Sequence, residues 1–191
     1  MKKTVLLLLL GALSSSLFAQ SISFRNDNEK TLAVGTNFMI TRSFGSYSTG
    51  VALAMYTDKV TKERTFDMGI YFETYGQTFC QEHSRAVLKT FSGTIVTLVQ
   101  RLDAYKVQGS RERVGDYKST TFSLKPQYLI QENDLNTLMN EGIQILRIET
   151  SKGFKDFTYK SDVLGGYLKS EYNLILEKRD FESNVIGLRV A

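Results

Sequence analysis

The amino-acid sequence predicts one α+β domain, a largely antiparallel sheet with two helices in the C-terminal third of the chain. Between residues 31 and 124 apolar residues recur mostly at every second position, as in half-buried strands, whereas helical spacing appears only after residue 132. The chain has 191 residues, of which 42% are hydrophobic, enough for a packed core. One cysteine and one histidine provide neither an internal disulfide nor a Cys/His zinc site. We therefore expect no cofactor and no metal.

Residues 1–19 have the three-part order of a secretory signal peptide. Lys2 and Lys3 form the basic start, Val5–Leu10 is an unbroken apolar run, and Ala19 is the small residue before the cut. We expect Gln20 to begin the mature chain, residues 20–191 to form the single domain, and the protein to be periplasmic or extracellular. The apolar run is far shorter than the roughly 20 residues that span a bilayer, so we expect no transmembrane anchor. An uncleaved N-terminal anchor is the alternative.

The charge pattern excludes nucleic acid as a partner. The net charge is +4 for the whole chain and becomes +2 once the two lysines of the leader are removed. The densest basic cluster, Arg111 and Arg113, has Glu112 between its two bases. Such a cluster cannot neutralise several phosphates at once.

Alternation predicts the first strands of the sheet. A first strand is expected from Thr31, and residues 51–55 alternate with smaller residues. The clearest half-buried strand covers residues 66–72, where large apolar residues alternate with Asp67, glycine and tyrosine. The polar stretch Asp58–Arg64 separates the last two segments, which predicts a hairpin.

A second hairpin is predicted at residues 85–100, with the Ser-Gly pair at 92–93 as its turn. Its second strand has apolar residues on both faces, because Ile95 and Val99 have the opposite parity to their apolar neighbours. This pattern predicts a strand that is covered on both sides.

The next segment carries the least apolar signal. Gln108–Lys118 has two glycines and a single apolar residue, which predicts an exposed loop and the best candidate for disorder inside the domain. Short strands are predicted at Thr121–Leu124 and Gln127–Ile130. Between them lies Pro126, whose missing N–H group indicates an edge strand or a bulge.

In the last third of the chain, apolar residues recur at helical spacing as well as at every second position. A helix is predicted at Asp134–Asn140, ending at Gly142 in the left-handed conformation. A hairpin of Ile143–Thr150 and Phe154–Tyr159 follows.

A second helix is predicted from Asp162 to about Ile175, capped by the Ser161 hydroxyl. From about Lys178 the charged tail is expected to add an edge strand or to fray.

Several segments resemble a pattern found in small exported proteins of uncharacterised families in Gram-negative bacteria. The resemblance covers roughly half the chain, from Val87 to Ile175. The matching segments are Val87–Leu98, Tyr128–Ile130, Asp134–Leu138, Gly142–Ile143, Leu146–Thr150, Asp156–Phe157 and Tyr159. The resemblance implies a similar sheet-and-helix module and a periplasmic or extracellular address, and it assigns no catalytic residue.

Two sets of residues are candidates for catalysis. Cys80 and His83 lie three positions apart, but a thiol nucleophile must meet its base, and this spacing on a strand places the two side chains on opposite faces. We expect a buried structural cysteine and a surface histidine. Four acids on predicted strands could instead form the carboxylate pair of a hydrolase, although each is expected to face outward. They are Asp67, Glu73, Glu149 and Asp156.

Tyrosines at strand ends or in loops are candidate ligand-binding residues, because an amphipathic ring suits such positions. They are Tyr47, Tyr56, Tyr71, Tyr75, Tyr105 and Tyr117. The absence of a complete catalytic set favours an exported, soluble, non-enzymatic binding or envelope-associated module, with an envelope component or another protein as its partner. The alternative is a hydrolase that uses a carboxylate pair or Cys80 and His83.

Overall fold

The computed structural model describes residues 21–42, 47–75, 78–101, 107–114 and 117–187. In chain order the strands are β1 (Ile22–Asp27), β2 (Thr31–Thr36), β3 (Met39–Arg42), β4 (Ser48–Asp58), β5 (Arg64–Tyr75), β6 (Arg85–Thr90), β7 (Ile95–Gln100), β8 (Val107–Val114), β9 (Tyr117–Leu124), β10 (Gln127–Ile130), β11 (Ile143–Thr150) and β12 (Gly153–Thr158). The helices are α1 (Glu132–Glu141) and α2 (Leu164–Gly187). The predicted α+β class is confirmed.

All the described strands belong to one sheet, and every pairing is antiparallel. The main path runs β1-β2-β4-β5-β10-β7-β6-β11-β12, with β3 paired to β4 and the β8–β9 hairpin attached to β5. Strand β5 is the junction of the sheet. Its first half pairs with β10, its second half with β9, and its other edge with β4.

The three hairpins predicted from sequence are present. They are formed by β4 and β5, by β6 and β7, and by β11 and β12. The two tight turns use glycines at positive φ, +99° at Gly93 and +92° at Gly153, a region that is costly for residues with a Cβ. The turn residues therefore fix the register of these pairs.

Strands β1 and β8 were not predicted, and the single strand expected from Thr31 is divided into β2 and β3. The expectation of an exposed loop at Gln108–Lys118 is wrong, because β8 and β9 pair across most of this segment. Strand β1 lies before the first predicted strand and pairs with β2. Backbone hydrogen bonding to a neighbour can hold a strand without an apolar face, and the sequence of β8 shows almost none.

Pro126 lies inside the sheet at a local edge. Strands β9 and β10 follow β5 in one continuous register on either side of it, and the Pro126 carbonyl accepts a bond from the Ile70 amide at 3.0 Å. On the other side β7 ends at Gln100 and β8 begins at Val107. The nitrogen of Pro126 faces β5 as its carbonyl does, so the missing N–H removes one bond of this ladder, and β9 ends before Pro126 while β10 begins after it.

The core lies on one face of the sheet. Alternate residues of β4 and β5 point to this face and are fully buried, namely Val51, Leu53, Met55, Phe66, Met68, Ile70 and Phe72. Helix α2 covers them with Leu164, Leu168 and Ile175 and contacts β2, β4 and α1. Residues 178–187, for which we expected an edge strand or fraying, continue this helix.

The opposite face of the sheet is open at β7. Ile95 is 64% exposed and Val99 is also exposed, whereas Val96 and Leu98 are buried. The prediction that this strand is covered on both faces is therefore wrong. The apolar residues of the outer face belong to the surface.

A carboxylate joins the start of α2 to the end of α1. Asp162 Oδ1 accepts bonds from the Gly165 amide at 2.9 Å and from the Ile143 amide at 3.0 Å. Asp162, and not the expected Ser161, therefore caps the helix. The junction is tight, because a Cβ at Gly142, which has φ +70°, would lie 2.5 Å from the Asp162 Cγ. The φ of Gly142 is positive as predicted, but its ψ of 166° lies outside the left-handed helical region that the sequence predicted.

Helix α2 also carries a buried acid. Glu171 is fully buried, and neither of its carboxyl oxygens has a hydrogen-bond partner of ordinary geometry among the described residues. Burial raises its pKa to about 9, while the Met39 amide and the Thr36 hydroxyl act on the pKa in the opposite direction. Burial dominates, so Glu171 is protonated at neutral pH.

Candidate functional site: a trough on the outer face of the sheet

Small residues create a depression on the face opposite the core. Ala52 and Ala54 of β4 and Gly69 of β5 alternate with core residues and therefore point outward. They line a cavity of about 320 Å³. We call this cavity, together with its lining residues, the sheet trough.

Aromatic side chains form the walls of the sheet trough. Phe24 of β1 lies directly over Gly35, and a Cβ at Gly69 would lie 2.9 Å from the Phe38 ring. Tyr56 is a third ring among the lining residues. Glycine at positions 35 and 69 lets the phenylalanine rings lie against the sheet, because a side chain there would displace them. Three aromatic rings thus surround a surface of small side chains, and a flat apolar group fits between the rings.

The side of the sheet trough nearest β10 is charged. Asp67 is at the base of this side, and its side chain is only 10% exposed. Both of its carboxylate oxygens accept bonds from Arg101 Nη1, at 3.1 and 3.2 Å. Lys125 places its Nζ 5.5 Å from the centre of the Phe38 ring, a cation–π contact.

A second cavity of about 490 Å³ adjoins the sheet trough and shares Tyr56, Asp67 and Gln127 with it. The pKa of Tyr56 is raised, first by burial and then by the negative charge of Asp67. The phenol therefore stays neutral at physiological pH and can donate or accept a hydrogen bond there.

The side chains of the candidate catalytic pair, Cys80 and His83, lie in different environments. Cys80 is 1% exposed and belongs to the core, where burial raises its pKa to about 12. The His83 side chain is 78% exposed and lies 3.8 Å from the Glu82 carboxylate. The fold does not bring them together, because residues 81–84 form a tight turn in which His83 has φ +66°.

The four strand acids each contact a different partner. Glu149 accepts bonds from the backbone and the side chain of Arg85, and Asp156 forms two hydrogen bonds with Arg147, at 2.6 and 2.7 Å. Glu73 accepts the Tyr71 hydroxyl at 2.9 Å. Asp67 alone lines the sheet trough. Three of the four acids are therefore engaged away from it.

The candidate tyrosines are dispersed. Tyr47 packs against the core, and Tyr71 lies beside Phe38 with a ring separation of 6.2 Å. Burial, and after it the hydrogen bond to Glu73, raises the Tyr71 pKa to about 12. Tyr105 and the side chains of Tyr75 and Tyr117 lie outside the described part of the structure. Of the six, only Tyr56 is known to line the sheet trough.

Sequence reasoning missed Phe24, Phe38, Arg101 and Lys125. Phe24 belongs to the unpredicted strand β1, and Phe38 belongs to the short connection between β2 and β3. One signal was available. The outward positions of β4 and of the neighbouring part of β5 are occupied by Gly and Ala to an unusual degree for a surface that is expected to be polar.

No family model, curated protein or solved structure matches the chain. Among the residues that the structure describes, no helix is both long and apolar enough to cross a bilayer. The same residues contain no group of three or more His, Cys, Asp or Glu side chains placed to hold a metal ion. The sheet trough is the candidate site on geometric grounds alone.

Proposed function

We propose that this protein is an exported, non-enzymatic binding module and that the sheet trough is its binding site for a small apolar ligand. One observation carries the proposal. Phe24, Phe38 and Tyr56 surround a floor of alanine and glycine, so a depression with aromatic walls is built on the face of the sheet opposite the core. Burying a flat apolar group between such rings is favourable in water.

The polar groups support binding over catalysis. Asp67 is the acid in the sheet trough and is bonded to Arg101, while the thiol of Cys80 lies in the core. A few polar groups at one end of an apolar pocket are typical of sites that orient a ligand.

Filling the sheet trough is expected to weaken ligand binding without unfolding the protein. Ala54→Leu adds bulk to the floor, so we expect the affinity for 2-naphthol, a flat neutral probe, to fall at least about tenfold. Binding is measured by NMR through the signals of the Ala52 methyl group and the Gly69 amide.

The matched control is Thr97→Leu, which adds the same side chain at an exposed position on the outer face of β7. It should leave the affinity unchanged. Wild-type binding by Ala54→Leu, with the fold verified by circular dichroism, would contradict the proposed site.

Export is expected to remove the leader. Expressed in a Gram-negative host, the protein should be recovered from the periplasm or medium with Gln20 as its first residue, as read by mass spectrometry of the intact chain. Leu8→Arg interrupts the apolar run and should hold the precursor in the cytoplasm, whereas Ser15→Thr should not. Mature protein that still begins at Met1 would show that the leader is not a cleaved signal.

A further inference from the structure

The sheet trough and the second cavity that adjoins it have, taken together, an excess of positive charge. Lys125 and Asp67 line the sheet trough, and Arg101 lines the second cavity and pairs with Asp67. Two cations thus stand against one carboxylate. An anionic group that enters at this side is attracted, and a cation is repelled.

Arg101 is suited to hold a second carboxylate. A guanidinium carries five N–H donors in a planar fork, and the hydrogen bonds to Asp67 come from Nη1. Asp67 is nearly buried, whereas the Arg101 side chain is 55% exposed. Asp67 therefore anchors the guanidinium from below and leaves much of it facing solvent.

The charge lies at one side of the depression. Phe24 is on β1, at one end of the strand order β1-β2-β4-β5-β10, whereas Arg101 directly follows β7, the strand beyond β10. The Phe24 ring lies over Gly35 of β2, and Arg101 reaches Asp67 of β5, so the two groups are about two strand spacings, or roughly 10 Å, apart. A ligand that spans both must have an apolar body and a charged end.

We infer, on the basis of the proposed binding function, that the ligand of the sheet trough is a small carboxylate with a flat apolar body. The body lies on the alanine and glycine floor between the aromatic rings, and the carboxylate contacts Lys125 and Arg101. The cations thus select the charge of the ligand, and the walls select its shape.

Three probes with the same ring system test the charge selection, namely 2-naphthoate, 2-naphthamide and 2-naphthylmethylammonium. A charge-assisted contact at a partly exposed site is worth roughly a tenfold change in affinity, so naphthoate should bind about ten times more tightly than naphthamide. The ammonium should bind most weakly. Chemical shifts of Ala52, Ala54 and Gly69 report the site and the dissociation constants.

Lys125→Met keeps an unbranched side chain near Phe38 and removes the charge. It should weaken naphthoate binding roughly fivefold and change naphthamide binding less than about twofold. Lys89→Met removes an exposed lysine from β6, outside the sheet trough, and should change neither affinity.

The outcomes separate this inference from the proposed function. Equal affinities for naphthoate and naphthamide, both with shifts at Gly69, would overturn the carboxylate ligand and leave the binding site standing. Tightest binding by the ammonium probe would also overturn it and would assign the selection to Asp67. No shift at the three floor residues with any probe would overturn the binding site itself.

Discussion

The free energy of unfolding is expected to fall by roughly 1.4 kcal/mol per pH unit between pH 5 and 8, or about 4 kcal/mol in all, because of Glu171. Its pKa is raised from 4.5 to about 9 by burial. The native state keeps a proton that the unfolded chain releases above pH 4.5, so rising pH favours the unfolded state. Below pH 4.5 the contribution of protonated Glu171 to the free energy of unfolding is complete. This contribution is lost progressively as the pH rises to 9. Urea denaturation at several pH values measures this slope.

Glu171→Gln should remove the slope, because an amide does not titrate over this range. The matched control is Glu177→Gln, an exposed acid on the same helix, which should keep the wild-type slope. Several other acids have lowered pKa values, including Asp27 and Asp156, and they titrate below this window. A slope that persists in Glu171→Gln would show that Glu171 is not the responsible group.

Asp162→Ala is expected to destabilise the fold by about 2–3 kcal/mol. The substitution removes the oxygen that accepts the Gly165 and Ile143 amides. The loss of a helix cap costs about 1 kcal/mol, and an unpaired, partly buried amide costs a further 1–3 kcal/mol before solvent replaces part of the bond. Urea denaturation at pH 5 measures the change while Glu171 is protonated.

Two variants make this experiment specific. Asp162→Asn keeps an oxygen acceptor and should lose less than about 1 kcal/mol. Ser161→Ala removes the hydroxyl that the sequence alone suggests as the cap and should change stability by less than about 0.5 kcal/mol. A larger loss in Ser161→Ala than in Asp162→Ala would reverse the assignment of the cap.

The fold class and three hairpins were predictable because their signals are local. In β5 the alternation of Phe66, Met68, Ile70 and Phe72 shows directly which residues face the core. Strand β8 pairs with β9, but its sequence has almost no apolar alternation. Alternation therefore does not predict a strand of this composition.

The sheet trough was predictable only in part, because its groups meet through long-range strand order. Asp67 and Tyr56 were both candidates from the sequence, on strands whose pairing is local. Arg101 reaches Asp67 because β10 lies between β5 and β7, an arrangement that no local pattern specifies. The burial of Glu171 was likewise not predictable, since helical spacing does not show that its carboxyl oxygens will lack a hydrogen-bond partner of ordinary geometry among the described residues.

Helix α2 is made after all the strands that it covers, and this order has a consequence during synthesis. At translation rates of 5–20 residues per second, the ~90 residues between β5 and α2 take roughly 5–20 s to appear. During that interval the apolar face of β2, β4 and β5 is not yet covered by α2. Exposed apolar strands promote aggregation with other chains. The yield of folded protein therefore depends on chaperones that bind the nascent polypeptide.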